Sequence, residues 1–157
     1  GPYSSGQVVT VNYNLGYFYQ LNVNWVIAFQ INLGAGWTNL TPLVAPIGGG
    51  NQSGYWMWDL QNTFPSGLNF GPGWRFVNTS GFNPNWGSQS TGPFTMRFRV
   101  TVGQRCTPDN LHISMSVFGD CLTGGWSNGA CCSDPAYGIY NGVVQISPII
   151  TSNINHY

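Results

Sequence analysis

Between Val23 and Leu33 the stretch VNWVIAFQINL places a large apolar residue at every odd position: Val23, Trp25, Ile27, Phe29, Ile31 and Leu33. Asn24, Val26, Ala28, Gln30 and Asn32 stand between them, each small or polar. A period of two marks a strand with one buried face, because successive side chains leave a pleated backbone on opposite sides. Eleven residues at roughly 3.3 Å each extend about 36 Å, longer than an ordinary strand. A strand of that length needs a sheet around it and a second layer over its apolar face. It is expected to be the central strand of a sandwich, with the even positions facing solvent or a thin cover.

Other stretches alternate in the same way. In Gln7 to Leu15, Val9, Val11, Tyr13 and Leu15 share one face and Thr10, Asn12 and Asn14 the other. This strand is expected to pair with the central one across the aromatic turn Gly16 to Tyr19. Phe94, Met96, Phe98, Val100 and Val102 are expected inward in FTMRFRVTV, with Thr95, Arg97, Arg99 and Thr101 outward. LHISMSV repeats the pattern with Leu111, Ile113, Met115 and Val117 inward. The connection GQRCTPDN suggests that these two strands form a hairpin.

Tyr55 to Leu60 and FGPGWRF (Phe70 to Phe76) read as shorter strands, and Tyr137 to Ile146 with Ile149 to Thr151 as the last one or two. Gly34 to Gly54 and Asn78 to Pro93 show little periodicity. In the first, Pro42, Pro46 and Gly48 to Gly50 predict a long loop or an edge segment. The expectation is an all-β, antiparallel β-sandwich of jelly-roll or immunoglobulin-like class, with about seven to nine strands joined by long Gly/Pro-rich loops. Residues 1–157 form one domain. Its apolar, strand-like terminal segments 1–12 and 143–157 are candidates for exchange with neighbouring subunits.

Charge narrows the function. The cations are Arg75, Arg97, Arg99 and Arg105, the carboxylates Asp59, Asp109, Asp120 and Asp134, and neither Lys nor Glu occurs. Without the residues helices lean on, the all-β reading is reinforced. A net charge of zero leaves no basic patch for nucleic acid. It also removes the repulsion that keeps small domains apart. No apolar run approaches the roughly 18 residues of a membrane span, so membrane insertion is not expected. No charged segment with a cleavage site opens the sequence, so an exported form is expected to begin after processing.

Enzyme chemistry finds little to use. A glycosidase needs two carboxylates about 5–10 Å apart, whereas Asp109, Asp120 and Asp134 sit beside Asn, Gly and Pro in turn contexts. Asp59 lies within a strand, suited to an ion pair with an arginine. His112 and His156 are the only imidazoles, and no nucleophile elbow, metal-spaced cluster or phosphate loop occurs. A calcium site on Asp109 or Asp120 lacks a spaced acidic run. The chain is expected to be non-enzymatic, with no metal and no cofactor.

Binding has more to work with: seven tryptophans and eight tyrosines. Trp56 and Trp58 share a strand face, and Trp37, Trp86 and Trp126 fall in Gly-rich loops. All five are candidate glycan-stacking residues, and equally candidate core, since each ring buries about 150–250 Å². Asn39, Asn51 and Asn78 head Asn-x-Ser/Thr sequons in expected loops and are possible glycosylation positions. Cys106, Cys121, Cys131 and Cys132 suit disulfides in an oxidising compartment. A strand of about 25 Å separates Cys106 from the other three, yet bridged Cβ atoms must approach within about 4.5 Å. Two intrachain bridges are the default; a bridge to a neighbouring subunit is the alternative.

GAGWTNLTPL (Gly34 to Leu43), GYWMWDL (Gly54 to Leu60), FGPGWRF, NLHISMSVFGDCLTGGW (Asn110 to Trp126) and CSDP (Cys132 to Pro135) resemble a module of large secreted surface proteins of Bacteroidetes. Those proteins are exported by type IX secretion, and the module recurs in long adhesin-like chains. The resemblance runs from about Val8 to Val144 and departs at Arg75 and in Val77 to Asn85. It implies β architecture, an extracellular or cell-surface location and adhesion, and carries no catalytic role. Residues and resemblance together lead to a secreted structural or adhesive protein, a subunit of a cell-surface filament or array whose partners are copies of itself. The alternative is a lectin-like module binding surface glycans through exposed loop aromatics.

Overall fold

A computed structural model describes residues 3–19, 25–48, 54–60, 71–79, 88–89, 93–104, 111–119, 133–135, 140–141 and 149–155. Within them the chain is all β. In order it forms β1 (Val8–Tyr19), β2 (Trp25–Leu33), β3 (Trp37–Gly48), β4 (Gly54–Asp59), β5 (Gly73–Asn78), β6 (Ser88–Gln89), β7 (Phe94–Val102), β8 (His112–Gly119), β9 (Ser133–Pro135), β10 (Tyr140–Asn141) and β11 (Ile149–Asn155). One sheet, A, has the order β11-β1-β7-β3. The other, B, has the order β10-β8-β2-β5-β4, with β6 beside β2 and β9 beside β8. Every pairing is antiparallel except that of β1 with β11.

The sheets face each other across an aromatic core. Phe94 of sheet A lies 5.4 Å from Phe29 and 5.9 Å from Trp56 of sheet B, both edge-on. Tyr13 meets Phe29 at 6.5 Å, and Trp74 meets Phe98 at 6.4 Å. Offset rings at these distances fill the roughly 10 Å between packed sheets and add electrostatic complementarity to burial. The two clearest alternations behave as expected: Phe94, Met96, Phe98, Val100 and Val102 are buried, as are Leu111, Ile113, Met115 and Val117.

Pairing departs from expectation at three places. β7 and β8 are not a hairpin, since β7 lies in sheet A between β1 and β3 while β8 pairs with β2 in sheet B. β1 likewise does not pair with β2; residues 16–19 continue β1 instead of turning, and β1 is flanked by β7 and β11. An alternating pattern gives a strand its buried face, but two such strands satisfy it equally by pairing or by facing each other across the core. The third difference is β3, where a long loop or an edge segment was expected: it is a twelve-residue strand, and it does lie at the edge of its sheet. It accommodates Pro42 and Pro46 because it ends sheet A, where one side of the strand needs no ladder donors.

The central strand also differs in detail. Between Val26 and Ala28 the register slips, two steps on β2 meeting one on β8. Such a bulge swaps the faces, so Val26 joins Phe29 and Ile31 in the core although its parity is opposite. Ala28 is fully buried as well. Of the expected solvent-facing set, Gln30 and Asn32 are part-exposed, Val26 and Ala28 are buried, and Asn24 lies outside the described residues.

One end of the sandwich is closed by backbone bonds. β2 passes to β3 through a tight turn in which Trp37 N donates to Gly34 O (3.1 Å), while Gly34 N donates to His112 O (2.8 Å) and Gly103 N to Gly36 O (2.7 Å). Tyr3 packs edge-on against Trp37 at 5.7 Å. Gly6 N donates to Val102 O and Val102 N to Gln7 O. The segment leading into β1 is thereby bonded within its own chain.

Candidate functional sites: an outer-face groove and an open edge

The outer face of sheet A is built by three strands in register. Asn14 stands opposite Thr95, which stands opposite Ile47; the next row is Asn12, Arg97 and Val44; then Thr10, Arg99 and Thr41; then Val8, Thr101 and Thr38. Partners directly opposite in an antiparallel pair point to the same side, so this grid is the solvent face of the sheet whose other face is core. Asn12, Asn14, Val44, Ile47, Thr95, Met96 and Arg97 line a hollow of about 230 Å³. Arg97 Nε donates to Asn12 Oδ1 at 3.0 Å, which holds the guanidinium across the β1–β7 seam. Arg97 and Arg99 are both exposed.

Charge is divided between the sheets. The carboxylates among the described residues, Asp59 on β4 and Asp134 on β9, both belong to sheet B. Sheet A carries two arginines and, among the described residues, no carboxylate. On sheet B, Arg75 and Asp59 share a face as diagonal neighbours, Arg75 standing opposite Met57 and Asp59 opposite Gly73. That spacing is within reach of a long side chain.

A different surface runs along the side where β3 and β4 meet. β3 ends sheet A and β4 ends sheet B, and the two strands touch. Of the five large apolar side chains exposed among the described residues, Leu43 and Ile47 lie on β3, Tyr55 on β4 and Leu60 just beyond it; the fifth is Val8. β3 is interrupted by two prolines and three register shifts. β4 is six residues long with neither proline nor lysine and pairs only with β5 among the described strands. Edge strands of soluble proteins are ordinarily blunted by such residues.

The aromatic candidates are placed as follows. Trp37 is 5% exposed beneath Tyr3. Trp56 and Trp58 are half-buried against the core: Trp56 packs on Phe29, Phe76 and Phe94, and Trp58 on Trp74 at 4.9 Å. The interplanar angles in these contacts run from 46° to 87°, so the rings meet by their edges. Trp86, Trp126, Asn51 and all four cysteines, Cys106, Cys121, Cys131 and Cys132, lie outside the described residues, as do Asp109, Asp120 and His156.

Asn39 is exposed, with a left-handed φ of 52°, in the bulge between Thr38 and Thr41, and its carbonyl accepts from Thr41 Oγ1 at 3.2 Å. Asn78 is part-buried at the end of β5, opposite Gly54. His112 is exposed at the start of β8. Among the described residues no group of three His, Cys, Asp or Glu is placed to hold a metal ion.

Sequence reasoning read Asn12, Asn14, Thr95, Arg97 and Arg99 as outward but not as a site. A signal was present, in that two of the chain's four cations alternate along one strand. What assembles the site is the pairing of β1 with β7, some eighty residues apart, which periodicity does not reveal. No protein-family model, curated protein or solved structure matches the chain.

Proposed function

We propose that this protein is a non-catalytic, extracellular structural or adhesive subunit that associates with copies of itself into a filament or array. The observation that carries this reading is that, among the described residues, four of the five exposed large apolar side chains lie on or just beyond β3 and β4, the strands that end the two sheets, and that β4 has neither proline nor lysine. Exposed apolar surface and an open strand edge are what edge-to-edge association uses: the backbone supplies hydrogen bonds and the side chains supply burial. A chain of zero net charge offers little repulsion to oppose it. β3 and β4 differ from β11 and β10 at the opposite side of the sandwich, so contact between unlike sides would be heterologous, the kind that propagates into rings or fibres. The resemblance to secreted Bacteroidetes surface modules agrees with the extracellular location.

Negative-stain electron microscopy of the purified protein, with Tyr55→Lys beside it, tests the reading. Regular fibres or sheets are expected from the parent chain. In the variant they should disappear with no fall in melting temperature, since Tyr55 is 54% exposed. Monodisperse particles at every concentration, or assemblies indifferent to the edge lysine, contradict it.

A further inference from the structure

The groove on sheet A shares Ile47 with the β3–β4 side but is otherwise built from the outer face of β1, β7 and β3, and its composition is that of a recognition site. We infer that it binds an acidic saccharide, a chain of uronic-acid type whose carboxylates engage Arg97 and Arg99. Three features converge. The Arg97 guanidinium is held through Nε by Asn12 on an exposed face, and a guanidinium is a planar, multi-donor partner suited to a carboxylate. No carboxylate among the described residues lies on this sheet to neutralise it, so the face selects an anion. Asn14 and Thr95 supply amide and hydroxyl groups beside the fork, while Val44 and Ile47 form an apolar wall. An amphipathic sugar ring, with hydroxyls around its rim and C–H groups on its face, matches a wall of that kind edged by a few placed polar groups.

Size and spacing agree. A hollow of about 230 Å³ holds the volume of about eight waters at ~30 Å³ each, which suits a single pyranose ring. Arg97 and Arg99 are two residues apart on one strand, with Cα atoms roughly 7 Å apart, and lie on one face, which lines up two cations for an oligosaccharide bearing more than one acid group. The row Thr10, Arg99 and Thr41 lies next to the hollow on the same face of the sheet. An extended acidic peptide fits less well. β1 and β7 are paired on both sides, and β3, which ends the sheet, is broken by two prolines and three register shifts, so no regular backbone ladder lies beside the groove for a peptide strand to join.

Titrating the full chain with trigalacturonate at low salt, followed by calorimetry, tests the inference. Binding is expected, weakening as salt rises. Arg97→Gln should weaken it about tenfold, the loss of one charge-assisted contact, and Ile47→Asp, which sets a carboxylate into the groove, should abolish it. Arg75→Gln, on the other sheet, should leave it unchanged, and thermal melts of each variant establish that the fold persists. The inference is overturned if trigalacturonate does not bind, if its methyl ester or tetraglutamate binds as tightly, or if folded Arg97→Gln and Ile47→Asp both bind like the parent. Because Ile47 also lies on the β3–β4 side, the titrations are run at a protein concentration where light scattering shows monomer, and Arg97→Gln, away from that edge, separates loss of the groove from loss of association.

Discussion

β7 and β3 are neighbours in one sheet and differ in almost everything else. β7 is nine residues of unbroken alternation with a strand on each side, and its five inward residues are all within 3% of complete burial. β3 is longer, ends the sheet, carries two prolines, slips register three times and leaves Leu43 and Ile47 43% and 63% exposed. A strand flanked on both sides has its backbone satisfied and invests its side chains in the core. An edge strand has an unpartnered side and apolar residues left over for other molecules. On the function proposed above, stability would rest on β7 and association on β3, adjacent strands of one sheet.

Truncations should separate the two roles. Phe98→Ala on β7 removes a fully buried ring that packs on Trp74, and about 3–5 kcal/mol of stability should be lost. Leu43→Ala on β3 should stay within about 0.5 kcal/mol. Urea melts of the two variants measure the contrast, and equal losses would erase it. Where β3 rejoins β7 the prediction is intermediate. Gly48 holds φ at +113°, and a Cβ there would lie 2.0 Å from the Pro93 carbonyl oxygen. Gly48→Ala should therefore cost about 1–3 kcal/mol, an effect of backbone geometry at a position that is itself exposed.

The same contrast explains what could be read without coordinates. The inward sets of β7 and β8 were legible because nothing interrupts their period of two. The face of β2 was legible only from Phe29 onward, since the bulge moves Val26 into the core and Ala28 is buried as well. β3 was illegible as a strand because its prolines and slipped register erase periodicity, although those same residues marked it as an edge. Pairing was not legible at all: β7 follows β3 by some fifty residues and still inserts between it and β1, a choice made by burial across the whole sandwich. The groove inherits that difficulty, its two halves coming from strands distant in sequence. The tryptophans had a definite pattern with two meanings, and for Trp56 and Trp58 the half-buried, edge-packed rings contribute to the core.

Hydrogen–deuterium exchange at low and high protein concentration bears most directly on the division between core and edge. The amides of β7 should be slow to exchange at both concentrations. Those of Gly54 to Leu60 should exchange quickly when dilute and become protected as concentration rises, because a neighbouring copy then covers β4. Protection of β4 that is the same at both concentrations, or concentration-dependent protection that appears in β7 and not in β4, would contradict the assignment of association to this edge.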